Sequence, residues 1–233
     1  MKKIVLMTMM MATGYSAMAQ EIETTVAADV VNQYIWRGQD LGNVSVQPTL
    51  GIGCNGFSLS AWGSVGLSNP ADTKEFDLTA SYSVGGFNIG ITDYWFNSGL
   101  DPEGRYFKYD AHGTNHVFEA NAGYDFGPAA IQWYTNIAGN DGVNKDGKRA
   151  YSSYVELSAP FKLAAVDWSA AVGAVPFATD FYGTDGFAIT NVSLKATKDI
   201  KVTDSFSIPV FGQIAANPSA QRAYLVFGFT LQP

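Results

Sequence analysis

The sequence predicts an all-β fold, a transmembrane antiparallel up-and-down β-barrel of 12 strands, with ten as the alternative count. Two observations carry this prediction. Stretches in which apolar and polar residues alternate cover most of the chain, whereas no stretch of similar length has the helical period. The connections between these stretches are alternately short and long, as in outer-membrane barrels. After residue 20, no apolar run approaches the roughly 20 residues that a membrane helix needs.

Residues 1–19 have the pattern of a secretory signal peptide. Lys2 and Lys3 precede the apolar run 4–12, and small residues at 17–19 suit cleavage before residue 20. We therefore expect residues 20–233 to form one barrel domain. Loss of the two lysines changes the net charge from −7 to −9, which argues against a nucleic-acid partner.

The strand candidates follow one another at a spacing of roughly 18 residues, which suits strands of about ten residues joined by turns. Each has period-2 alternation, so its two faces differ in polarity. The 12 stretches are 24–36, 45–54, 57–67, 75–84, 87–96, 117–126, 130–138, 151–159, 165–174, 187–197, 205–215 and 222–232.

One face of nearly every stretch is apolar and uncharged. Phe57 and Leu59 represent that face, with Asp93 as the main interruption. A Lys or Arg facing the bilayer midplane costs about 2–4 kcal/mol, so a lipid-facing surface must have this composition. Tyr34 and Trp36, at the end of the first stretch, should face lipid as girdle residues. A lipocalin-like barrel or a two-sheet sandwich would show the same alternation, with the apolar face inside. The polar face is rich in Ser, Thr, Gly, Asn and Gln rather than Lys and Glu, which favours the membrane barrel.

The turns and the last stretch predict how the barrel is oriented and closed. Asn55-Gly56 indicates a type I′ hairpin turn, and the connection 97–116 is the longest. We expect short turns and both termini to be periplasmic and long loops to be extracellular. Stretch 222–232 should close the barrel against stretch 24–36, with Leu225, Phe227 and Phe229 facing lipid and Arg222 and Tyr224 facing inward.

Residues 30–38 read Val-Val-Asn-Gln-Tyr-Ile-Trp-Arg-Gly and end the first stretch. Together with the signal peptide and the short amphipathic hairpins, this segment resembles the TorF-type family of porins. Tyr34, Trp36, Arg37 and Gly38 match the family's aromatic-x-aromatic-Arg-Gly pattern. The resemblance implies an outer-membrane β-barrel with a transport role.

The charged and amide residues on the polar faces should line the lumen. They predict a wet, mildly acidic interior that passes or holds small hydrophilic solutes with a preference for cations. The alternative is that these charges pair and plug a narrow lumen, which leaves a structural or surface-binding barrel. The predicted pore-lining residues are Asp29, Gln33, Arg37, Asp77, Glu119, Glu156, Asp167, Lys195 and Arg222.

An outer-membrane hydrolase is a weaker alternative. The two histidines, His112 and His116, both lie in the longest loop near Asp110, and Ser98 is the loop's serine. Gly113 argues against a helical metal-binding pair, so we predict no enzyme, catalytic residue, metal or cofactor. The expected partners are outer-membrane lipids, periplasmic chaperones, the barrel-assembly machinery and small hydrophilic solutes.

The loop 97–116 also raises a surface-binding alternative. Tyr106, Phe107 and Tyr109 within it and Tyr94 and Trp95 beside it could contact a sugar, or could fold back into the pore as a constriction. Packing of the loop on itself and on girdle residues is the reading we favour.

Overall fold

The computed structural model describes residues 22–69, 72–98, 100–111, 113–204 and 206–233, so the predicted signal peptide and His112 lie outside the described residues. The elements within this part are all strands. They are β1 (Glu23–Val31), β2 (Tyr34–Trp36), β3 (Gln39–Gly42), β4 (Ser45–Cys54), β5 (Phe57–Gly66), β6 (Glu75–Val84), β7 (Phe87–Phe96), β8 (His116–Asp125), β9 (Ala130–Gly139), β10 (Ser153–Leu163), β11 (Val166–Val175), β12 (Ala188–Lys201), β13 (Ser207–Asn217) and β14 (Arg222–Leu231).

Strands β1 and β4 to β14 form one closed antiparallel barrel in which sequence neighbours pair. The last strand closes it, since β14 pairs with β1 from Ala28↔Leu231 to Val31↔Gly228. On its other side β1 pairs with β4 over its whole length. The prediction of 12 strands closed by the final stretch is therefore confirmed, and no barrel strand keeps an unpaired edge.

The barrel is apolar outside and polar inside. Leu225 is 64% exposed and Phe227 is 59% exposed, and both lie on the outer wall. The buried residues are mostly polar, and Thr49, Ser64 and Glu119 represent them. A soluble barrel or sandwich buries its apolar face instead, so both soluble alternatives are wrong.

Two-residue turns after β4, β6 and β10 lie at one end of the barrel, together with the connections 126–129 and 202–206. Asn55 and Gly56 have φ of 51° and 83°, as a type I′ turn requires. Ala164 and Ala165 form a similar turn with φ of 52° and 57°. Because this turn begins at Ala164, strand β10 extends to Leu163, beyond the predicted end at residue 159. The long connections 32–44, 67–74, 97–115, 140–152 and 176–187 lie at the opposite end, together with the short connection 218–221, and we call this end the long-loop end.

The prediction of a first strand over 24–36 is wrong at its end. Strand β1 stops at Val31, and the chain bends at Asn32 and Gln33 before β2. The Asn32 side chain accounts for the exit, because its amide donates to the Leu225 carbonyl (3.1 Å) and its Oδ1 accepts from the Phe227 N–H (2.8 Å). This side chain supplies the hydrogen bonds that a continuing strand would have given β14.

Strands β2 and β3 form a separate two-stranded sheet, called the inner hairpin below (residues 34–42). Tyr34 is only 9% exposed, and Trp36 is half-buried against Tyr94 and Tyr182. The prediction that Tyr34 and Trp36 face lipid as girdle residues is therefore wrong. The exit at Asn32 redirects both aromatic side chains to the inside of the barrel.

The longest loop, 97–115, packs on the outer wall. Tyr106 contacts Phe76, Trp95 and His116, and Tyr109 stacks on His116 at 4.2 Å between ring centroids. The alternative in which the aromatics fold back into the pore is therefore wrong for Tyr106 and Tyr109, whereas Tyr94 on β7 does face the lumen. The loop covers a polar pair on the outer wall, because Nδ1 of His116 lies 2.7 Å from Oδ1 of Asp93.

Candidate functional site

The inner hairpin enters the lumen with Arg37 and Gly38 at its tip. Both have positive φ, 50° and 77°, and a Cβ on Gly38 would lie 1.8 Å from the Thr190 carbonyl oxygen. Asn217 donates its side-chain amide to the Gly38 carbonyl at 3.1 Å. The tip is therefore packed directly on β12 and β13, at a spot that only glycine fits.

The Arg37 side chain extends from the tip to the opposite wall. Its two terminal nitrogens donate to the two Glu119 oxygens at 2.6 and 2.9 Å, and one of them also donates to the Tyr182 hydroxyl at 2.7 Å. The side chain of Arg37 is 7% exposed and that of Glu119 is 1% exposed. This is a buried, bidentate ion pair, the geometry for which guanidinium is better suited than ammonium.

Aromatic faces enclose the same guanidinium. The Arg37 Cζ lies 4.0 Å from the Tyr134 ring centroid, 4.3 Å from Trp36 and 4.8 Å from Tyr154. We call Glu119, Trp36, Tyr134, Tyr154 and Tyr182 the Arg37 cage. It joins the hairpin to β8, β9, β10 and the loop after β11, and a desolvated cation over several rings is held strongly.

A second group of residues holds the base of the hairpin. The Tyr34 hydroxyl donates to Oε2 of Glu75 at 3.0 Å, and its ring packs on Trp62 at 5.5 Å. Tyr94 donates its hydroxyl to Oε1 of Glu119 at 2.9 Å, which connects this region to the Arg37 cage.

The inner wall differs between its two halves. At the long-loop end Ser64 and Asn136 are each 1% exposed, because the hairpin and the loops cover them. Toward the short turns, inward residues such as Thr79, Ser169 and Ser193 are only half-buried. The hairpin therefore fills the lumen in the long-loop half, and the other half stays accessible to solvent.

The structure brings some predicted pore-lining residues together in the long-loop half. Arg37 and Glu119 form the central ion pair, and Asp77 is buried on β6 beside Glu75. Glu156 accepts from the Tyr154 hydroxyl at 2.6 Å and so lies beside the Arg37 cage.

The other predicted residues lie apart from this group. Asp29 accepts from Thr230 (2.6 Å), Gln33 donates to Asp40 (2.9 Å), and half-exposed Asp167 pairs with Lys162 (3.0 Å). Lys195 lies over the Phe211 ring (4.0 Å), and Arg222 is exposed.

Several residues of the site were not predicted from the sequence. Glu75 and Tyr154 share the polar face of their strands with the predicted residues Asp77 and Glu156, and Tyr134 lies on the polar face of β9, so the alternation contained the signal. Tyrosine is a weak signal for a position in the lumen, because it is also frequent in the lipid-facing girdles. Tyr182 lies in the loop between β11 and β12, where no periodicity marks it.

Among the residues described, no group of three or more His, Cys, Asp and Glu side chains could hold a metal ion. Both His116 nitrogens are engaged, one with Asp93 and the other with the Tyr106 carbonyl. None of the described segments is a helix long and apolar enough to cross a membrane.

No protein-family model matches the chain, and no curated protein matches it. Among solved structures, a porin refined at 1.8 Å is similar over 81% of this chain and 62% of its own, with 17% identity and a TM-score of 0.38. A KdgM porin is similar over 89% of this chain and 96% of its own (9% identity, TM-score 0.46). OccK9 (OpdG) of Pseudomonas aeruginosa is similar over 90% of this chain and 58% of its own (12% identity, TM-score 0.36).

Proposed function

We propose that this protein is an outer-membrane porin-type barrel that passes small hydrophilic solutes, with the inner hairpin setting the width of the lumen. The observation that carries the proposal is the reversed polarity of a closed barrel. Its exposed wall is apolar, and its interior is lined with Ser, Thr, Asn, Gln and carboxylate side chains. Such a wall suits lipid, and such an interior suits water and polar solutes.

The proposal includes an orientation. The signal peptide exports the chain, periplasmic chaperones and the barrel-assembly machinery insert it, and outer-membrane lipids contact the apolar wall. Short turns and both ends of the barrel domain face the periplasm, and the long loops face outward. In this orientation the inner hairpin blocks the external half of the lumen, so the half-buried polar wall forms a periplasmic vestibule.

Passage requires the hairpin to shift, because Arg37 and Glu119 join opposite sides of the lumen. The second candidate function is a structural or surface-binding barrel whose lumen stays plugged. The buried bidentate pair of Arg37 and Glu119 favours this plugged barrel, because removing one charge of a buried pair leaves the other without a partner, which is costly.

Osmotic swelling of proteoliposomes separates the two functions. We expect liposomes containing the purified protein to swell in a pentose faster than protein-free liposomes, and more slowly in a tetrasaccharide. Swelling at the protein-free rate in both sugars would reject the pore and leave the plugged barrel. Proteinase digestion of intact cells tests the orientation, because only the long loops should be cut.

A further inference from the structure

We propose that Glu75 and Asp77 form a binding site for an ammonium or guanidinium group of a solute, which deepens and rests on the proposed passage of solutes. The two residues sit at alternate positions of β6, so both face inward. They are only 6% and 7% exposed. Together with Tyr34, Trp62 and Tyr94 they form what we call the acidic cage.

The acidic cage has no basic partner within the protein. None of the ion pairs among the described residues involves Glu75 or Asp77. Arg37, the cation of this half of the lumen, is committed to Glu119. The carboxyl groups of the cage therefore have no ion-pair partner among the described Lys and Arg side chains.

One oxygen of the pair has no donor. Oδ1 of Asp77 is fully buried and accepts no hydrogen bond from any described residue. Glu75 differs, because its Oε2 accepts from the Tyr34 hydroxyl at 3.0 Å. A buried carboxylate oxygen without a donor is costly, so a donor from outside the protein is the group that the site lacks.

The walls indicate what kind of donor fits. Asp77 lies directly opposite Trp62 on β5 and opposite Tyr94 on β7, and Tyr34 packs on Trp62. Carboxylates flanked by aromatic rings suit an organic cation, whose N–H groups donate to oxygen while its charge faces the rings. A metal ion fits less well, because no group of three ligating side chains exists among the described residues.

The Arg37 cage provides an internal comparison. There a carboxylate and three aromatic rings hold a guanidinium that belongs to the protein. The acidic cage has the same combination of carboxyl groups and aromatic rings on the neighbouring wall. Tyr94 connects the two cages, because it borders the acidic cage and donates its hydroxyl to Glu119. The lumen thus has two adjacent cation cages, of which the hairpin supplies the cation for one.

The path toward Asp77 starts in the vestibule. The next inward residues of β6, Thr79 and Ser81, are half-buried and lead toward the short turns. Asp77 itself is buried, so a small amine that approaches along β6 reaches its Oδ1 only when the side chains that cover it move.

Calorimetric titration of the whole barrel in detergent tests the site with methylammonium and methylguanidinium chloride, against sodium chloride at equal ionic strength. We expect the organic cations to bind and Asp77→Asn to weaken binding about tenfold, because one charge-assisted hydrogen bond is lost. Asp167→Asn is the matched control, since Asp167 is an inward carboxylate paired with Lys162, and it should leave binding unchanged.

Absence of binding to the unmodified barrel, or equal weakening by both variants, would overturn the site. Proteoliposome swelling distinguishes this failure from failure of the proposed function. Swelling without amine binding removes the site and keeps the pore. Amine binding that Asp77→Asn weakens, without swelling, keeps the site and removes the pore.

Discussion

Arg37 is the residue on which the position of the inner hairpin depends. Its removal would leave the Glu119 carboxylate buried without a counter-charge. We therefore expect Arg37→Met to lower the free energy of unfolding by about 3–5 kcal/mol, measured by urea unfolding in lipid vesicles. Arg37→Lys should recover only part of this loss, because an ammonium cannot donate to both Glu119 oxygens in parallel.

The double variant Arg37→Met with Glu119→Leu serves as the control for this prediction. It removes both charges at once, so it should be more stable than Arg37→Met alone. A double variant as unstable as the sum of the two single variants would show that the residues contribute independently, which contradicts the ion pair.

Gly38 tests the close packing of the hairpin tip. We expect Gly38→Ala to cost more than about 3 kcal/mol or to displace the tip, because the new Cβ would overlap the Thr190 carbonyl. Gly147→Ala is matched in backbone conformation, with φ of 70°, but has open space around its Cβ. It should cost only the strain of a left-handed residue, about 1–2 kcal/mol. If Gly38→Ala and Gly147→Ala lowered the free energy of unfolding in urea equally, the hairpin tip could not be packed on β12.

The inner hairpin is also the element that sequence reasoning described incorrectly. Residues 24–36 alternate without interruption, so periodicity alone extends the first strand through them. The strand ends at Asn32 instead, because the side chain of Asn32 makes the hydrogen bonds to β14 that a strand backbone would otherwise make. Such a bond depends on which strand lies next to the residue in space, and one sequence does not contain that information.

The barrel strands were predicted well because their signal is local. Outward residues must be apolar and inward residues polar along every strand, and Asn55-Gly56 defines its turn without help from the rest of the chain. The predicted bounds of β4, β6 and β7 agree with the structure to the residue. The candidate site was predicted only in part, since it needs contacts between β8, the hairpin and the loop after β11.

The outer loop 97–115 is held by a buried carboxylate. Asp101 is 1% exposed, and it accepts from the backbone N–H and the guanidinium of Arg105. These bonds lower the pKa of Asp101 well below its usual range, so the carboxylate remains charged wherever the protein is folded near neutral pH.

We expect Asp101→Ala to free this loop from the outer wall. Trypsin should then cut after Arg105 and Lys108 about tenfold faster, since Lys108 loses its partner and Arg105 keeps only Glu103. Asp146→Ala, in the exposed loop between β9 and β10, should leave the cutting rate at these sites unchanged. An unchanged rate in Asp101→Ala would contradict the role of this carboxylate.

Because the barrel is apolar outside and polar inside, we expect the same substitution to have opposite effects on its two surfaces. Phe227→Asp places a charge on the lipid-facing wall, at a cost below that of an Arg or Lys at the bilayer midplane, about 2–4 kcal/mol, and should block assembly. Ser169→Asp places the same charge on the inner wall opposite Lys195, where it should be tolerated. Ser169 is a better control than the inward residue Thr230, because the Thr230 hydroxyl already donates to Asp29. Heat-modifiable migration of outer-membrane fractions measures assembly, and equal behaviour of both variants would contradict the assigned facing.

The central claim is that a membrane barrel of 12 strands is narrowed by its own inner hairpin. Single-channel conductance in planar bilayers tests it most directly. The comparison is between the unmodified protein and a variant whose residues 34–42 are replaced one for one by Gly and Ser. Glu119→Gln is included in the variant so that Glu119 is not left as a buried charge without Arg37. We predict small or rare openings for the unmodified protein and larger, long-lived openings for the variant, whereas equal unit conductance in the two would contradict the claim.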